Sequence, residues 1–450
     1  MTKITKADQN KININLPGES MKINSRNILE IGNFSAEELA GEYGTPLLVL
    51  DEKEIRKNIR KYIDTFSENY PDFKVLYAGK AFLNRTLCRI LQQEGTGLDV
   101  VSGGELYIAL NADFDPEDIY FHGNNKLKSE IELGLQNNVG KFVVDNFYEI
   151  ELLNKLAKKL GKKPEVILRI IPGIEAHTHE YIQTGQIDSK FGVGLKNNEA
   201  KKLIKKIIKY NNLDLKGIHA HIGSQIFTLE SYEKLIEIIF DFLVQIKEET
   251  GKILKEIDLG GGLGISHTKD ENPPSIEKYV ETISNKVKEE ADIKNFPLPK
   301  LSVEPGRSII GPAGITLYEI GSIKEVPGGS KYVAIDGGMT DNIRPALYDA
   351  EYEAFTANHC LQGEKEKVTI AGKCCESGDI LIKDIQITEP KSGDILAVPS
   401  TGAYTYSMAS NYNGIPRPAV VLVCEDKSNI IIKRESYEDL IKNDIIPEDY

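Results

Sequence analysis

The chain has 450 residues, of which 40% are hydrophobic and 27% are charged, so it is long enough for two or three globular domains. Its net charge of -13 argues against nucleic acid as the main partner, because phosphate binding requires clustered lysine and arginine. No apolar run reaches the ~18 residues of a membrane span, and residues 1–15 lack the apolar stretch of a secretory signal. We therefore expect a cytoplasmic protein without a membrane partner.

Short apolar runs alternate with longer amphipathic runs through the middle of the chain. The apolar runs predict strands at residues 74–78, 98–101, 119–122, 142–145, 166–171, 217–222, 256–259 and 301–304. The amphipathic runs between them predict helices, for example at 149–160, 200–210 and 229–250. Eight strands that alternate with helices over roughly 230 residues predict a (β/α)8 barrel, and a doubly wound sheet is the alternative that periodicity leaves open.

After residue 306 the sequence becomes mostly β-like. Runs at 314–326, 332–335, 368–370, 395–398 and 419–423 are separated by Gly, Pro and Asp, and the segment 18–31 is also strand-like. We therefore predict two domains. A TIM-like (β/α)8 barrel spans residues 46–308, and residues 1–45 and 309–450 form a mostly antiparallel β-barrel or sandwich domain.

Neither the cysteines nor the histidines predict a metal site. The five cysteines are odd in number and sparse, which does not suit a disulfide framework. The adjacent Cys374 and Cys375 lack the spacing of zinc ligands, and His219 and His221 have no third and fourth ligand at a typical spacing. We predict no bound metal.

Polar residues follow one another at the carboxyl ends of the predicted strands, where barrel enzymes place their chemistry. These residues are Lys80, Asp99, His122, Arg169, His219, His221, Gly260, Gly261, Gly262, Glu304 and Arg307. An isolated lysine is usually a solvated surface residue, but the apolar, small neighbours of Lys80 predict desolvation. Desolvation lowers the pKa of an amine and makes it a better Schiff-base nucleophile.

Two further features in this series point to a bound phosphate and a ring nitrogen. The glycine run 260–262 is either a simple turn or a cradle of backbone N–H groups for a phosphate. Glu304 can accept a hydrogen bond from a ring N–H⁺, while Arg307 can bind a carboxylate or phosphate through two parallel hydrogen bonds. A local surface ion pair between these two residues is the alternative.

Several longer motifs resemble those of one enzyme family, the fold-type III pyridoxal-phosphate decarboxylases, and most closely its diaminopimelate decarboxylases. The similarity runs from Tyr43 to Pro418. The motifs that carry it are His219-Ala-His-Ile-Gly-Ser-Gln225, Asp258-Leu-Gly-Gly-Gly262, Glu304-Pro-Gly-Arg307, Arg344-Pro-Ala-Leu-Tyr348, Cys375-Glu-Ser-Gly-Asp379 and Gly402-Ala-Tyr404.

The resemblance implies a cofactor, pyridoxal 5'-phosphate, and two catalytic residues. Lys80 would hold the cofactor as a Schiff base, and Cys375, from the second subunit of a homodimer, would protonate the carbanion after CO2 leaves. The choice of Cys375 over Cys374 rests on its place directly before Glu376. The cofactor-binding residues would be Lys80, Asp99, Arg169, His221, Ser224, Gly260, Gly261, Gly262, Glu304, Gly306, Arg307 and Tyr404. The substrate-binding residues would be Arg307, Arg344, Tyr348, Glu376 and Tyr404.

Individual roles follow from the same resemblance. Glu304 would pair with the pyridinium nitrogen and keep it protonated, which maintains the electron sink that a decarboxylase needs. His221 would stack on the cofactor ring, and Asp99 and Arg169 would support this side of the site as an ion pair. Ser224, the glycine loop, Arg307 and Tyr404 would surround the phosphate.

The implied substrate is meso-2,6-diaminopimelate, which would yield L-lysine and CO2. Arg344 and Arg307 would bind its distal carboxylate and Glu376 its distal ammonium, whereas a structural contact is the alternative for Arg344 and Tyr348. Residues 179–185 and 190–192 also resemble the loop after the fifth barrel strand in this group. Lys80-Ala-Phe-Leu83 departs from the Lys-Ala-Asn of many relatives, and about 20 N-terminal residues have no match.

Two other functions stay open at this point. One is a decarboxylase of the same fold that acts on carboxynorspermidine, arginine or ornithine, although Arg344 and Glu376 oppose ornithine. The other is an inactive homologue with a regulatory role, although the chain retains Lys80, Cys375 and Glu304.

Overall fold

The computed structural model describes residues 16–18, 20–174, 189–196, 198–361 and 363–450. In chain order its strands are β1 Met21–Ile23, β2 Leu29–Ile31, β3 Phe34–Ser35, β4 Leu47–Asp51, β5 Phe73–Ala78, β6 Gly97–Val100, β7 Ile119–Phe121, β8 Lys141–Val144, β9 Glu165–Ile171, β10 Val193–Gly194, β11 Asp214–His219, β12 Glu256–Asp258, β13 Lys300–Val303, β14 Gly314–Glu325, β15 Lys331–Ile335, β16 Phe355–Thr356, β17 Lys365–Ala371, β18 Ile380–Thr388, β19 Ile395–Pro399, β20 Ala419–Cys424 and β21 Lys427–Ile432.

The helices are α1 Ala36–Tyr43, α2 Glu52–Asn69, α3 Arg85–Gln93, α4 Gly103–Leu110, α5 Lys128–Gln136, α6 Phe147–Leu160, α7 Glu199–Ile208, α8 Glu230–Thr250, α9 Ile276–Ile293, α10 Arg307–Ile310, α11 Arg344–Tyr348 and α12 Tyr437–Ile441. None of the helices in the described part of the chain combines the length and the apolar character that a bilayer crossing requires.

The first compact unit, residues 56–264 and 273–308, is a closed parallel barrel, here called the barrel unit. Its eight strands pair in the order β5, β6, β7, β8, β9, β11, β12 and β13, and β13 pairs again with β5. The predicted barrel is confirmed, and the doubly wound alternative is wrong because an open sheet has two unpaired edges. All eight predicted strands overlap observed ones.

Helices in the barrel unit begin directly after strand ends because short polar side chains cap them. Asn84, Ser102 and Asn146 each accept a hydrogen bond from the backbone N–H three residues on, after β5, β6 and β8 respectively. Such caps satisfy backbone donors that the first helical turn leaves free. They fix the point at which the chain leaves the barrel, and therefore where the strand-end side chains lie.

The second compact unit, residues 1–55, 265–272 and 309–450, is here called the β unit. It contains the small antiparallel sheet β1-β2-β3 and a nine-stranded, mostly antiparallel sheet with the order β18-β17-β15-β14-β4-β20-β21, to which β16 and β19 add beside β14. Two clusters of buried apolar side chains form its core, one around Leu317 and Val421 and the other around Ile320 and Ile370. The predicted β domain is confirmed.

The predicted domain boundary at residue 46 is wrong by one strand. Strand β4 pairs antiparallel with β14 and parallel with β20, so it belongs to the β unit. Residues 265–272 also belong to the β unit, although they lie inside the predicted barrel range. Main-chain pairing with distant strands decides the first case, and contacts such as the hydrogen bond from Lys269 N to Glu353 Oε1 accompany the second.

Candidate active site

Lys80 lies in a single 3-10 turn, Gly79–Ala81, directly after β5. A methyl group added at Gly79 would lie 2.9 Å from the Asp99 carbonyl oxygen, so the turn requires a residue without a side chain there. Gly79 and Ala81 are buried, but Lys80 itself is exposed. The predicted desolvation of Lys80 is therefore wrong, because Lys80 is exposed although its neighbours in the turn are buried.

Glu304 follows β13 and lies between two histidines in the interior of the barrel unit. Its Oε1 is 2.7 Å from His122 Nε2, and its Oε2 accepts a hydrogen bond from His219 Nε2 at 3.2 Å. All three side chains are buried. The contact with His122 is the shorter one but lies off the line of the N–H bond, whereas that with His219 has regular hydrogen-bond geometry.

The predicted ion pair between Asp99 and Arg169 is not formed among the residues that the structure describes. Asp99 Oδ1 instead lies 3.7 Å from His122 Nε2, because β6 and β7 are neighbouring strands. The Arg169 guanidinium lies 4.5 Å from the centroid of the Phe191 ring. Burial lowers the pKa of Arg169, and the carboxylates around it, Asp145 first, oppose that shift.

Three buried carboxyl groups lie in the interior of the barrel unit. The pKa values of two of them, Asp99 and Asp258, are raised, whereas that of Glu304 is lowered. Burial and the Glu304 charge raise the pKa of Asp99 and of Asp258 well above the ordinary value. Burial acts on Glu304 in the same sense, but the attraction and hydrogen bonds of its two histidines hold its pKa well below the ordinary value. The histidine contacts therefore favour the anionic form of Glu304, whereas burial favours the protonated forms of Asp99 and Asp258.

The glycine loop follows β12 and leaves no room for side chains. Gly260 and Gly262 have φ of +66° and +117°, in the region that favours glycine. A methyl group at Gly260 would lie 2.8 Å from His221 Nδ1, and one at Gly262 would lie 2.5 Å from the Gly223 carbonyl oxygen. Gly261 packs directly on the Glu304 carbonyl. The loop is therefore a bare backbone surface beside His221.

Arg307 and Ser224 complete an anion-binding arrangement beside that loop. Arg307 is buried, and its Nη2 donates a hydrogen bond to Ser224 Oγ at 3.1 Å. Gly306 packs on Ala81, since a methyl group there would lie 3.0 Å from the Ala81 Cβ. A buried guanidinium and a hydroxyl beside a loop without side chains fit a phosphate, and an anionic Glu304 fits a protonated ring nitrogen, so these residues suit pyridoxal phosphate.

His221 is half-buried at the end of the β11 segment, and burial and the Lys80 charge hold its pKa well below the ordinary value. Among the described residues, the histidines that approach a common carboxylate are His122 and His219, with Glu304. Direct contacts between the two histidine rings and the Glu304 carboxylate explain why these three side chains lie close together. We therefore interpret the three residues as a hydrogen-bonded group.

The β unit groups three of the predicted substrate residues. The Arg344 guanidinium is buried and lies 5.3 Å from the centroid of the Tyr348 ring and 5.7 Å from that of Tyr404. Arg344 begins the short helix α11, and Tyr404 has a φ of +61°, a conformation that non-glycine residues rarely adopt. The three side chains thus lie together around the Arg344 guanidinium.

Cys375 and Glu376 lie in an exposed turn of the β unit. Asp379 fixes this turn, because its carboxylate accepts hydrogen bonds from the backbone N–H groups of Met339 at 2.7 Å and Cys374 at 2.8 Å. Cys375 N donates to Asn413 Oδ1 at 2.7 Å. Cys375 is exposed and Cys374 only half-exposed, and burial together with Asp379 raises the pKa of the Cys374 thiol to about 11.

The structure therefore groups the predicted strand-end residues in the barrel unit and Arg344, Tyr348 and Tyr404 in the β unit, where Cys375 and Glu376 lie in the exposed turn. Sequence reasoning gave no role to His122, His219 and Asp258, although all three lie at strand ends, which was the available signal. The resemblance at residues 179–185 lies outside the described residues.

Comparison with known proteins identifies the family. A family model for the pyridoxal binding domain of pyridoxal-dependent decarboxylases matches residues 56–311. A diaminopimelate decarboxylase of Bacillus subtilis (strain 168) is 50% identical over 422 residues, which cover 94% of this chain and 96% of that protein. One of Staphylococcus aureus (strain COL) is 45% identical over 426 residues, with 94% and 99% covered.

A solved structure gives the same result. The crystal structure of diaminopimelate decarboxylase from M. jannaschii in complex with L-lysine has a TM-score of 0.90 and 38% identity, and the match covers 96% of this chain and 99% of that one. Similarity of this extent covers both units and not the barrel alone. The chain belongs to the pyridoxal-dependent decarboxylase family and, within it, to the diaminopimelate decarboxylases.

Proposed function

We propose that this chain decarboxylates meso-2,6-diaminopimelate to L-lysine and CO2 with pyridoxal 5'-phosphate as cofactor, as the last step of lysine biosynthesis. The observation that carries this proposal is the end-to-end similarity to diaminopimelate decarboxylases. When bound, the cofactor supplies a sink for the electron pair that CO2 leaves on the substrate α-carbon. We also propose a cytoplasmic location, in keeping with this biosynthetic role.

On the barrel unit, we propose that Lys80 holds the cofactor covalently through Nζ. Its exposed position at the end of β5 leaves the amine accessible for this bond. Glu304 would accept the hydrogen bond of the ring N–H⁺, and its lowered pKa supports this role because only the carboxylate stabilises the protonated ring. Asp99 and Arg169 would act as outer charges of the same site.

The cofactor phosphate would bind to Arg307, Ser224 and the backbone of residues 260–262, with Gly306 allowing close approach. Arg307 is buried, so it interacts with an anion at low effective dielectric and therefore strongly. His221, whose pKa is lowered, would present a neutral ring face to the cofactor.

On the β unit, we propose that Arg344, Tyr348 and Tyr404 bind the substrate. A buried arginine with two tyrosine rings is suited to the distal carboxylate, because the guanidinium forms two parallel hydrogen bonds and the rings hold its plane. Glu376, whose carboxylate is exposed, would take the distal ammonium. Arg307 remains the second candidate for the carboxylate.

Cys375 is proposed as the group that returns a proton to the α-carbon. Its exposure supports this choice over Cys374, whose thiol is partly buried and weakly acidic. We propose that Cys375 and Glu376 act on the site of a second copy in a homodimer.

Exposed apolar side chains on the barrel unit support the proposed homodimer. Four of them come after the adjacent strands β6, β7 and β8 in the chain, and the fifth, Tyr107, lies on helix α4. They are Val101, Tyr107, Leu127, Phe147 and Tyr148. Exposed apolar side chains that follow neighbouring strands are typical of a surface that another chain covers.

The direct test is CO2 release by the purified, cofactor-loaded protein from meso-diaminopimelate, ornithine, arginine and carboxynorspermidine. We expect fast release from meso-diaminopimelate with stoichiometric L-lysine, and none from the Lys80→Ala protein prepared in parallel. Faster release from another substrate would overturn the substrate, and a protein that cannot be loaded with the cofactor would overturn the reaction.

A further inference from the structure

The Glu304 carboxylate has one histidine on each of its two oxygens. His122 Nε2 is 2.7 Å from Oε1, and His219 Nε2 is 3.2 Å from Oε2. A carboxylate accepts hydrogen bonds on both oxygens, whereas a protonated carboxyl group has one proton to donate and could satisfy only one acceptor nitrogen. An ionised Glu304 can accept from an N–H on either oxygen: the His219 contact has hydrogen-bond geometry, and His122 Nε2 lies within hydrogen-bonding distance of the other oxygen.

The two rings are most simply neutral, with each hydrogen on Nε2. Their centroids are 5.0 Å apart in an edge-to-face arrangement, so two imidazolium charges would repel each other. Burial acts in the same direction and lowers the pKa of His122 to about 4 and that of His219 below the ordinary value. Neutral donors place no competing positive charge beside a ring nitrogen.

The other ionisable groups that face Glu304 also have shifted pKa values. They are Asp99, Arg169, His221, Asp258 and Tyr279. Burial and the Glu304 charge raise the pKa of Asp99 and of Asp258, and burial raises the pKa of Tyr279. Arg169 is the facing cation of the set, but its guanidinium lies against Phe191.

We propose that His122 and His219 are positioning residues that, as neutral Nε2–H donors, hold the Glu304 carboxylate in place and in its anionic form. This inference rests on the proposed function, in which Glu304 is the partner of the cofactor's ring nitrogen. Neither histidine touches the reacting atoms in this proposal. Both act through Glu304.

The test compares variants that keep or remove the donor. His122→Gln and His219→Gln retain an N–H near the Nε2 position, whereas His122→Leu and His219→Leu remove it. Two pH titrations are measured: the visible absorbance of the cofactor-loaded protein, and the infrared carboxyl band of the cofactor-free protein. Subtraction of a Glu304→Gln spectrum assigns that band, and circular dichroism checks that each variant folds.

We expect each Leu variant to shift the ionisation of Glu304 upward by roughly one pH unit or more, because a buried carboxylate loses a donor. The Gln variants should recover most of that shift, and kcat should fall with the shift while the Michaelis constant changes little. Titrations that do not differ among wild type, Gln and Leu variants would overturn the proposal.

The infrared titration also separates this proposal from the proposed function. It needs neither cofactor nor substrate, so it reports on Glu304 even if meso-diaminopimelate is not decarboxylated. If a Leu variant does not fold, the Gln variant at that position and the Leu variant at the other still decide the outcome. A Gln variant that shifts as far as its Leu counterpart would likewise contradict a donor role.

Discussion

Lys126 Nζ donates a hydrogen bond to Glu149 Oε1 at 2.7 Å, and both side chains are buried in the barrel unit. The same ammonium donates to the carbonyl oxygens of Gly123 at 3.0 Å and Val143 at 2.8 Å, and Glu149 Oε2 accepts from Asp145 N at 2.9 Å. The pair therefore joins the carboxyl end of β7, which His122 directly follows, to that of β8.

Removing one partner of this pair should destabilise the protein strongly. Lys126→Met leaves a buried carboxylate without its cation, which costs about 3–5 kcal/mol. We expect a lower urea midpoint by circular dichroism, and the double variant Lys126→Met, Glu149→Leu should regain much of the loss because no charge remains uncompensated. A single variant as stable as wild type would show that the pair contributes little.

Mixing two inactive variants should restore activity if the active sites are shared between chains. In a heterodimer of Lys80→Ala and Cys375→Ala subunits, one site combines an intact Lys80 with an intact Cys375. Random exchange of equal amounts should restore about a quarter of the wild-type rate of CO2 release, since half of the dimers have one intact site of two.

The matched control mixes Lys80→Ala with Lys80→Met, in which no pairing yields an intact site. Absence of recovery after proven subunit exchange would contradict the shared site.

The two adjacent cysteines should differ sharply in reactivity and in effect. Cys375 is exposed, whereas burial and Asp379 raise the pKa of Cys374 to about 11, which leaves little thiolate near neutral pH. An alkylating reagent at neutral pH should label Cys375 first by peptide mapping, and Cys375→Ser should slow turnover far more than Cys374→Ser. The reverse order in either measurement would favour Cys374 as the proton donor.

Arg344→Met should mainly weaken substrate binding. The loss of a buried guanidinium that binds a carboxylate corresponds to a rise in the Michaelis constant for meso-diaminopimelate of about ten- to a hundred-fold. Arg344→Lys keeps the charge without the paired hydrogen bonds, so its Michaelis constant should lie between those of wild type and Arg344→Met. Thermal unfolding measures any structural cost, and an unchanged Michaelis constant in a folded Arg344→Met protein would exclude the proposed contact.

Asp341 should make the protein less stable as pH rises towards neutrality. Its buried carboxyl group bonds to the Tyr318 hydroxyl and accepts from Gly338 N at 2.8 Å, and burial raises its pKa from 3.8 to about 7. Between about pH 4 and 7 the folded state thus holds a proton that the unfolded state has lost, so stability decreases by at most about 1.4 kcal/mol per pH unit and levels off above that window.

Asp341→Asn removes this proton linkage. Urea midpoints of the variant should decline less between pH 4 and 7 than those of wild type, with Asp384→Asn, an exposed aspartate of the same unit, as the control. Parallel declines in wild type and Asp341→Asn would contradict a raised pKa for Asp341.

The barrel could be predicted from sequence because each of its strands is a short apolar run followed by an amphipathic helix. The same pattern explains the error at its start. Leu47–Asp51 is apolar and precedes the amphipathic helix Glu52–Asn69, so it resembles the first βα unit of a barrel. Periodicity identifies a strand but not its partners, and the partners of β4 come from the far end of the chain.

Side-chain partners in the site were harder to predict than the positions of the residues. The resemblance paired Asp99 with Arg169, but β6 and β9 are separated in the barrel by β7 and β8. His122, on the neighbouring β7 side, reaches Asp99 first. Likewise, the exposed position of Lys80 depends on a three-residue turn, which the apolar composition around it does not reveal.

The pairing of β4 with β20 has a consequence for synthesis on the ribosome. Residues 47–51 emerge early, yet their parallel neighbour at 419–423 is translated only after the entire barrel, on the order of half a minute later. The barrel, whose strands are contiguous in sequence, can close in the meantime. Until then the nascent chain carries an apolar strand with an unpaired edge, to which a chaperone or another unfolded chain can bind. A message truncated before residue 419 would leave that edge unpaired permanently.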